Sequence, residues 1–181
     1  DHALRQFFAY AQQQAWYENT LFVLTADHTN QVTLPEYATA KGLFEVPIAF
    51  YSPKWTEGEL RMEGAVSQTD IMPSVLAYLG YSKPFFAFGE NALTQAKQHP
   101  WAVCYNHPVY QLLTDSLLLQ FDGKEVRAVY DYHSDPMLQH NIADKADTEA
   151  LQTYLRAYIQ QYIYRLTTNQ LTVETNGSKS R

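Results

Sequence analysis

The pattern of apolar and polar positions divides the chain into a first part where helix and strand signals alternate and a later part where strands follow one another. Apolar residues recur every three or four positions from Leu4 to Ala15, which predicts an amphipathic helix. The continuously apolar residues 20–25 (TLFVLT) predict a strand buried on both faces. A second strand is predicted at 46–51 (VPIAFY) and a helix at 67–80. This alternation indicates α/β architecture.

In the later part, four short strand candidates occupy residues 102–106, 110–114, 116–121 and 126–130. Asp122-Gly123, between the last two, is a strong hairpin signal. Consecutive strands with tight turns predict an antiparallel meander. A helix over 148–166 ends the pattern. Its tyrosines at four-residue spacing predict a stripe packed against the sheet; they are Tyr154, Tyr158 and Tyr162.

The change of pattern near residue 98 predicts two units and a tail. Residues 1–97 are a partial α/β core, 98–166 an antiparallel α+β subdomain, and 167–181 a polar tail. Of the 181 residues, 46% are hydrophobic and 18% charged, so apolar material for a core is present and a disordered chain is excluded. No apolar run reaches the ~18–20 residues of a membrane span.

The charge and the cysteine content argue against several classes of function and site. The net charge of −6 is spread along the chain, which argues against nucleic-acid binding. The single cysteine, Cys104, excludes an internal disulfide and a cysteine zinc knuckle. Apolar residues alternate around it, so we expect a small core residue rather than a nucleophile.

The strongest candidate for chemistry is Asp27-His28, directly after the first predicted strand. In open α/β sheets, ligand-binding groups gather beyond the carboxyl ends of strands. A carboxylate beside an imidazole suits zinc or manganese better than an oxygen-only calcium site. Two ligands are too few for a tight site, so further ligands must come from elsewhere. The alternative is that Asp27 caps the next segment and His28 is an ordinary surface histidine.

A second cluster lies in the loop before the last helix. There two histidines share a polar stretch with three aspartates. Such a set could bind a metal, or the loop could simply be polar and exposed. Its members are His133, His140, Asp131, Asp135 and Asp144.

Four segments, in order along nearly the whole chain, resemble the alkaline phosphatase/sulfatase superfamily. Residues 20–28 (TLFVLTADH) are similar to its strand-plus-metal-ligand motif, and 46–53 (VPIAFYSP) to its next core strand. Residues 66–80, with Asp70-x-x-Pro73, resemble the helix that follows. Residues 130–141 (YDYHSDPMLQHN) resemble the Asp-Pro…Asn loop of its C-terminal subdomain. The nearest branch is the lipoteichoic acid synthase-like (phosphoglycerol transferase) sulfatase-domain proteins.

The resemblance implies a fold and an activity. The fold would be the C-terminal part of an alkaline-phosphatase-like α/β sandwich: a slice of its parallel sheet, plus a small antiparallel-sheet subdomain with a C-terminal helix. The activity would be metal-dependent hydrolysis of phosphate or sulfate esters, or phosphoglycerol-type transfer, with Asp27 and His28 as metal ligands. Manganese or zinc is favoured over calcium. The ester could be linked to a lipid or a glycan.

The resemblance also implies what this chain does not supply. In the family, the nucleophile and an early acidic ligand lie far upstream, and Thr29 stands where Gly is frequent. We therefore expect a C-terminal fragment, inactive alone and without its own catalytic nucleophile, whose partner is the missing N-terminal half of the domain. The parent is expected to be extracytoplasmic, periplasmic or at the cell surface, and anchored by upstream transmembrane helices.

Two alternatives stay open at this point. One is a noncatalytic binding or assembly module of the same fold. The other is an unrelated α+β domain that carries an Asp-His pair by chance.

Overall fold

The computed structural model describes residues 1–29, 32–55, 64–94 and 100–173. The helices and strands, in order, are α1 (His2–Ala11), β1 (Phe22–Thr25), β2 (Ile48–Tyr51), α2 (Ile71–Tyr78), β3 (Ala102–Asn106), β4 (Val109–Leu113), β5 (Leu117–Phe121), β6 (Val126–Asp131) and α3 (Glu149–Thr167). Short 3₁₀ turns lie at Tyr17–Asn19, Pro35–Ala38, Gly42–Phe44 and Gln68–Asp70.

No helix in the described ranges has the length and apolar character needed to cross a membrane. The predicted boundary between residues 97 and 98 lies outside the described residues, as does the tail from residue 174.

The first helix is shorter than its apolar pattern predicts. Helix α1 ends at Ala11 because the amides of Gln13 and Gln14 bond to carbonyls three residues back, which tightens the chain into a turn. Ala11 then packs with Tyr17 and Phe22 in a small buried cluster. This cluster fixes α1 against β1.

Strands β1 and β2 pair antiparallel, with Phe22 opposite Tyr51 and Thr25 opposite Ile48. The expected slice of parallel sheet is therefore wrong for these two strands. A parallel pair needs a crossover connection, usually an α-helix, and the described part of the connection over 26–47 holds only 3₁₀ turns. Pro47 directly precedes β2, where its missing N–H leaves the ladder intact.

The buried carboxylate of Asp70 joins the start of helix α2 to two neighbouring backbone segments. Its two oxygens accept the backbone N–H of Ser67 at 2.7 Å and of Glu90 at 2.8 Å. One turn later, the buried hydroxyl of Ser74 donates to the Asp70 carbonyl at 2.6 Å and accepts the N–H of Ala92 at 2.8 Å. These bonds hold the loop segment at residues 90–92 against the start of the helix.

The predicted antiparallel meander is confirmed: the sheet order is β3-β4-β5-β6, with every neighbouring pair antiparallel. The predicted hairpin turn joins β5 to β6, and Gly123 there has a φ of 98°, a conformation that favours glycine. Asp122 accepts the N–H groups of Lys124 and Glu125, each at 2.8 Å. The hydrogen bonds from the backbone of Glu125 and then of Lys124 lower the pKa of Asp122 to about 2.

Helix α3 covers one face of this sheet and closes the main core. The fully buried members of that core come from three strands and the helix; they are Leu112, Leu119, Phe121, Val129 and Leu155.

The tyrosine stripe of α3 packs on the sheet at one end, where Tyr154 lies against the sheet core as predicted. Tyr154 contacts the ring of Trp101, just before the sheet, at 4.4 Å between centroids. Tyr158 and Tyr162 instead contact Phe88, at 5.1 and 5.7 Å. The stripe therefore also joins α3 to the loop after α2.

Candidate functional site

Asp27 and His28 lie together where the chain turns beyond the end of β1. His28 Nε2 is 3.4 Å from Asp27 Oδ2, and the N–H of His28 donates to Asp27 Oδ1 at 2.9 Å. Both side chains are exposed, at 61% for His28 and 85% for Asp27. The next helical turn described begins at Pro35, so Asp27 does not cap an adjacent helix there.

The orientation of the His28 ring determines which of its two nitrogens could bind a metal ion. Nδ1 lies 2.8 Å from the carbonyl oxygen of Thr29, and because a carbonyl can only accept, Nδ1 carries the proton. In the neutral imidazole, Nε2 then holds the lone pair. A ring held by a carbonyl through one nitrogen can bind a metal through the other, which here faces the carboxylate of Asp27.

The spacing of the two donor atoms also fits a single ion. Two ligands ~2.0–2.1 Å from a tetrahedrally coordinated ion lie ~3.3 Å apart. The 3.4 Å between Nε2 of His28 and Oδ2 of Asp27 matches this separation. The carboxylate–imidazole set therefore fits two positions of a divalent metal site that accepts nitrogen ligands. In the described part of the chain, no group of three or more metal-binding side chains is present.

Two contacts that the sequence pattern does not reveal hold this turn in place. The side-chain amide of Gln68, in the 3₁₀ turn before α2, donates to the carbonyl of Ala26 and, at 3.4 Å, to that of Asp27. The N–H and hydroxyl of Thr29 both donate to the carbonyl of Leu43, at 3.4 and 3.0 Å. Gln68 is 41 residues from Asp27, so only the fold brings them together.

Asp27 borders a cavity of about 1630 Å³ that runs from β2 and α2 to the four-stranded sheet. A cation, Lys41, lines the same cavity. Its ammonium pairs with Glu45 and lies 5.2 Å from the ring centroid of Tyr132. Sequence reasoning missed Lys41, since a single lysine in an aperiodic segment gives no signal.

The second cluster is not brought together as a ligand set. His133 Nε2 lies 2.8 Å from the carbonyl of Asp115, and His140 Nδ1 lies 3.5 Å from Asp135. Asp131 accepts hydrogen bonds from the segment that follows it, with Ser134 the largest contributor, and these lower its pKa. The interpretation of this loop as polar structure accounts for these contacts.

Cys104 lies on β3 and lines the large cavity. Burial raises the pKa of its thiol to about 11, so little thiolate forms near neutral pH. This agrees with a role in packing rather than as a nucleophile.

A sulfatase family model matches residues 1–81. An uncharacterized sulfatase of Escherichia coli (strain K12), YidJ, is 26% identical over 145 residues, which span 70% of this chain and 29% of that relative.

Two solved structures extend the comparison to nearly the whole chain. A protein in the alkaline phosphatase superfamily from Vibrio parahaemolyticus aligns with a TM-score of 0.73 and 17% identity, over 95% of this chain and 41% of that one. BT4656, in complex with its substrate D-glucosamine-2-N,6-O-disulfate, aligns with a TM-score of 0.56 and 17% identity, over 92% of this chain and 38% of that one. The chain spans less than half the length of these proteins. It has the α/β fold of the alkaline phosphatase superfamily, with antiparallel sheets and a C-terminal helix, and its first 81 residues match the sulfatase family.

Proposed function

We propose that this chain forms the C-terminal part of a metal-dependent enzyme that cleaves sulfate or phosphate esters, in which Asp27 and His28 hold a divalent ion. The observation that carries the proposal is the ring of His28, whose Nδ1 faces the Thr29 carbonyl while Nε2 lies 3.4 Å from a carboxylate oxygen. The match of the sulfatase family model to residues 1–81 supports the same activity.

The residues of this chain would orient the metal and receive the anionic ester. Asp27 and His28 would be ligands, and Gln68 would hold the turn that carries them. A bound manganese or zinc ion would polarise the ester and favour ionisation of the attacking group. Lys41, which lines the same cavity as Asp27 and is paired with Glu45, would donate hydrogen bonds to an anionic substrate.

The nucleophile and the remaining ligands would come from residues outside this chain, so the chain alone would bind metal weakly and lack activity. The sulfated glucosamine bound by BT4656 favours a sulfated sugar as the ester, with a phosphoglycerol-type ester as the alternative that the lipoteichoic acid synthase-like branch would require. An extracytoplasmic location and a membrane-anchored parent belong to this proposal as well.

Calorimetric titration of the 181-residue chain with Mn²⁺, Zn²⁺ and Ca²⁺ tests the metal site. We expect Mn²⁺ or Zn²⁺ to bind more tightly than Ca²⁺. We expect His28→Ala and Asp27→Asn each to weaken binding at least about tenfold, which corresponds to ~1.4 kcal/mol.

The chain offers a matched control in its second Asp–His pair, His140 and Asp135, at 3.5 Å. His140→Ala should leave the affinity unchanged. Equal binding by the wild type and His28→Ala would reject the metal site and favour the noncatalytic module of the same fold.

A further inference from the structure

The lysine nearest to the candidate metal site in the fold is Lys41. It lines the same cavity as Asp27. The turn that carries Asp27 is also joined to the segment around Lys41, because the N–H and the hydroxyl of Thr29 both donate to the carbonyl of Leu43. An anionic group bound beside Asp27 would therefore meet the Lys41 ammonium.

The other lysine described in the cavity wall lies farther from the metal ligands. Lys54 follows β2, whose last residue, Tyr51, lies at the end of the β1–β2 pair away from Asp27. Its ammonium donates to the side chain of Asn19 at 2.8 Å. Among the basic residues described in this wall, Lys41 is the one placed to meet the ester.

The charge of Lys41 is already neutralised by a carboxylate of this chain. Lys41 and Glu45 lie on either side of a 3₁₀ turn, and their side chains form an ion pair in which Lys41 is 21% and Glu45 52% exposed. The turn is tightly packed, since a Cβ at Gly42 would lie 2.1 Å from the carbonyl oxygen of Glu36. This packing fixes the spacing of the pair, so an anion that binds Lys41 must compete with Glu45.

The ring of Tyr132, from the C-terminal region, contacts the same ammonium. Lys41 Nζ lies 5.2 Å from the ring centroid, within the range of a cation–π interaction. The hydroxyl of Tyr132 donates to the carbonyl of Thr114 at 2.7 Å, which fixes the ring. Burial, and after it the negative charges of Asp115 and Glu45, raise the pKa of Tyr132, so the ring is neutral near pH 7. Tyr132 can therefore hold the ammonium in the cavity when Glu45 is displaced.

We propose that Glu45 is a specificity-determining residue, whose carboxylate competes with the substrate for Lys41 and thereby disfavours esters that carry two negative charges relative to esters that carry one. The inference rests on the proposed ester-cleaving function and narrows its substrate class. At the same distance, Glu45 repels a dianion about twice as strongly as a monoanion, because the Coulomb energy is proportional to the product of the charges.

This difference separates the esters named above. A sulfate ester and a phosphoglycerol-type diester each carry a single negative charge, whereas a phosphate monoester carries about 1.5 to 2 near pH 7. Glu45 therefore favours the sulfated sugar and the diester over phosphate monoesters.

Titration of the 181-residue chain with methyl sulfate and with methyl phosphate, at about pH 8 where the second is a dianion, tests the proposal. Binding is followed by the NMR signals of the backbone amides at 41–45. The ionic strength is held constant, because salt screens exposed charges. No metal is added, so the result does not depend on Asp27 and His28. We expect Glu45→Gln to raise the affinity for methyl phosphate about tenfold and that for methyl sulfate about threefold.

Variants of the two other groups locate the effect. Lys41→Met should abolish binding of both anions. Tyr132→Leu removes an uncharged contact, so it should weaken both anions equally, by about threefold, and leave the selectivity unchanged. Tyr132→Phe keeps the ring and should bind both anions as the wild type does.

The matched control is a second glutamate in an ion pair, outside the cavity wall. Glu125 lies 3.4 Å from Arg127 in the C-terminal hairpin. Glu125→Gln makes the same change in net charge and should alter neither affinity.

The proposal would be overturned by equal affinities of the wild type and Glu45→Gln, by an equal gain of Glu45→Gln for both anions, or by the same change of selectivity in Glu125→Gln. A lack of anion binding by every variant would overturn it as well. Metal affinity is measured separately with the His28 variant. A chain that binds metal through His28 but shows no effect of Glu45 would reject this inference alone, and a chain that binds no metal would reject the proposed metal site.

Discussion

The N-terminal and C-terminal regions differ in how completely each buries its own apolar residues. Residues 100–167 close a core of five buried residues between a four-stranded sheet and α3. Among the described residues before 95, the buried apolar cluster holds Ala11, Tyr17 and Phe22, and Ala92 is buried apart from it. Around that cluster Phe7 and Trp16 are each 45% exposed. The candidate chemistry therefore lies in the region whose packing is less complete.

This difference follows from the number of layers that each region contains. A sheet with a helix across one face forms two layers and removes apolar side chains from water. The two-stranded β1–β2 sheet packs on one side against α1 through aromatic contacts, such as Phe8 with Phe22 at 5.1 Å between centroids. The N-terminal region therefore leaves more of its large apolar side chains in contact with water, as at Phe7 and Trp16.

The largest expected effect is the loss of stability when a buried side chain of the C-terminal core is removed. Leu119→Ala should lower the free energy of unfolding by about 2–5 kcal/mol, because Leu119 is fully buried beneath α3. Urea denaturation followed by circular dichroism measures this change. If the two regions unfold separately, the urea midpoint reported by the fluorescence of Trp16, in the N-terminal region, should fall less in this variant than the midpoint reported by Trp101. Identical shifts at both tryptophans would show that the regions unfold as one unit.

The next effect concerns the loop between β6 and α3. The side-chain oxygen of Asn141 accepts the N–H of Val129 at 3.0 Å, and its nitrogen donates to the carbonyl of Arg127 at 3.1 Å. Asn141→Ala would leave the N–H of the buried Val129 unpaired, so we expect a loss of about 1–3 kcal/mol. Asn19→Ala, which removes an exposed hydrogen bond with Lys54 in the N-terminal region, is the control and should cost under about 0.5 kcal/mol. Similar losses in chemical denaturation would contradict this ranking.

A smaller effect is expected at the buried hydroxyl of the N-terminal region. Ser74→Ala removes the acceptor for the N–H of Ala92, and we expect a cost of about 1 kcal/mol. Its measure is hydrogen exchange of the Ala92 amide, which should accelerate in the variant. If that amide exchanges equally fast in the wild type, this part of the region already opens independently of the bond.

The smallest effect is a pH dependence in the C-terminal hairpin. The pKa of Asp122 is lowered to about 2, so its carboxylate stabilises the fold above the unfolded-state value near 3.8. That stabilisation is lost as the pH falls through about 2. The urea midpoint of the wild type should therefore fall more between pH 5 and pH 2 than that of Asp122→Asn. Parallel pH profiles would show that the turn does not depend on the charge.

Local patterns along the chain predicted most of the fold. The alternation over 102–130 and the Asp122-Gly123 turn predicted the meander, which is confirmed. The period of three to four residues predicted α3, because a helical stripe is visible in any window of two turns. The pairing direction of β1 and β2 was predicted wrongly, since direction depends on how the connection crosses the sheet and not on the composition of either strand.

The candidate site, like the fold, was predicted from the sequence only in part. The adjacency of Asp27 and His28 after an apolar strand is visible in the sequence, and it was sufficient to identify them as candidates. The contact of Gln68 with their turn and the presence of Lys41 in the same cavity were not, because each depends on residues distant in sequence meeting in space. The metal itself stays a prediction.

Residue order thus accounts for the helices, the strands, the tight turn and the pair of candidate ligands, since each depends on backbone preferences and side chains within a few positions. The direction of the first strand pair and the contact of Gln68 with the turn that carries Asp27 depend on contacts between distant segments. Such contacts are set by the packing of the whole fold, which no local pattern contains.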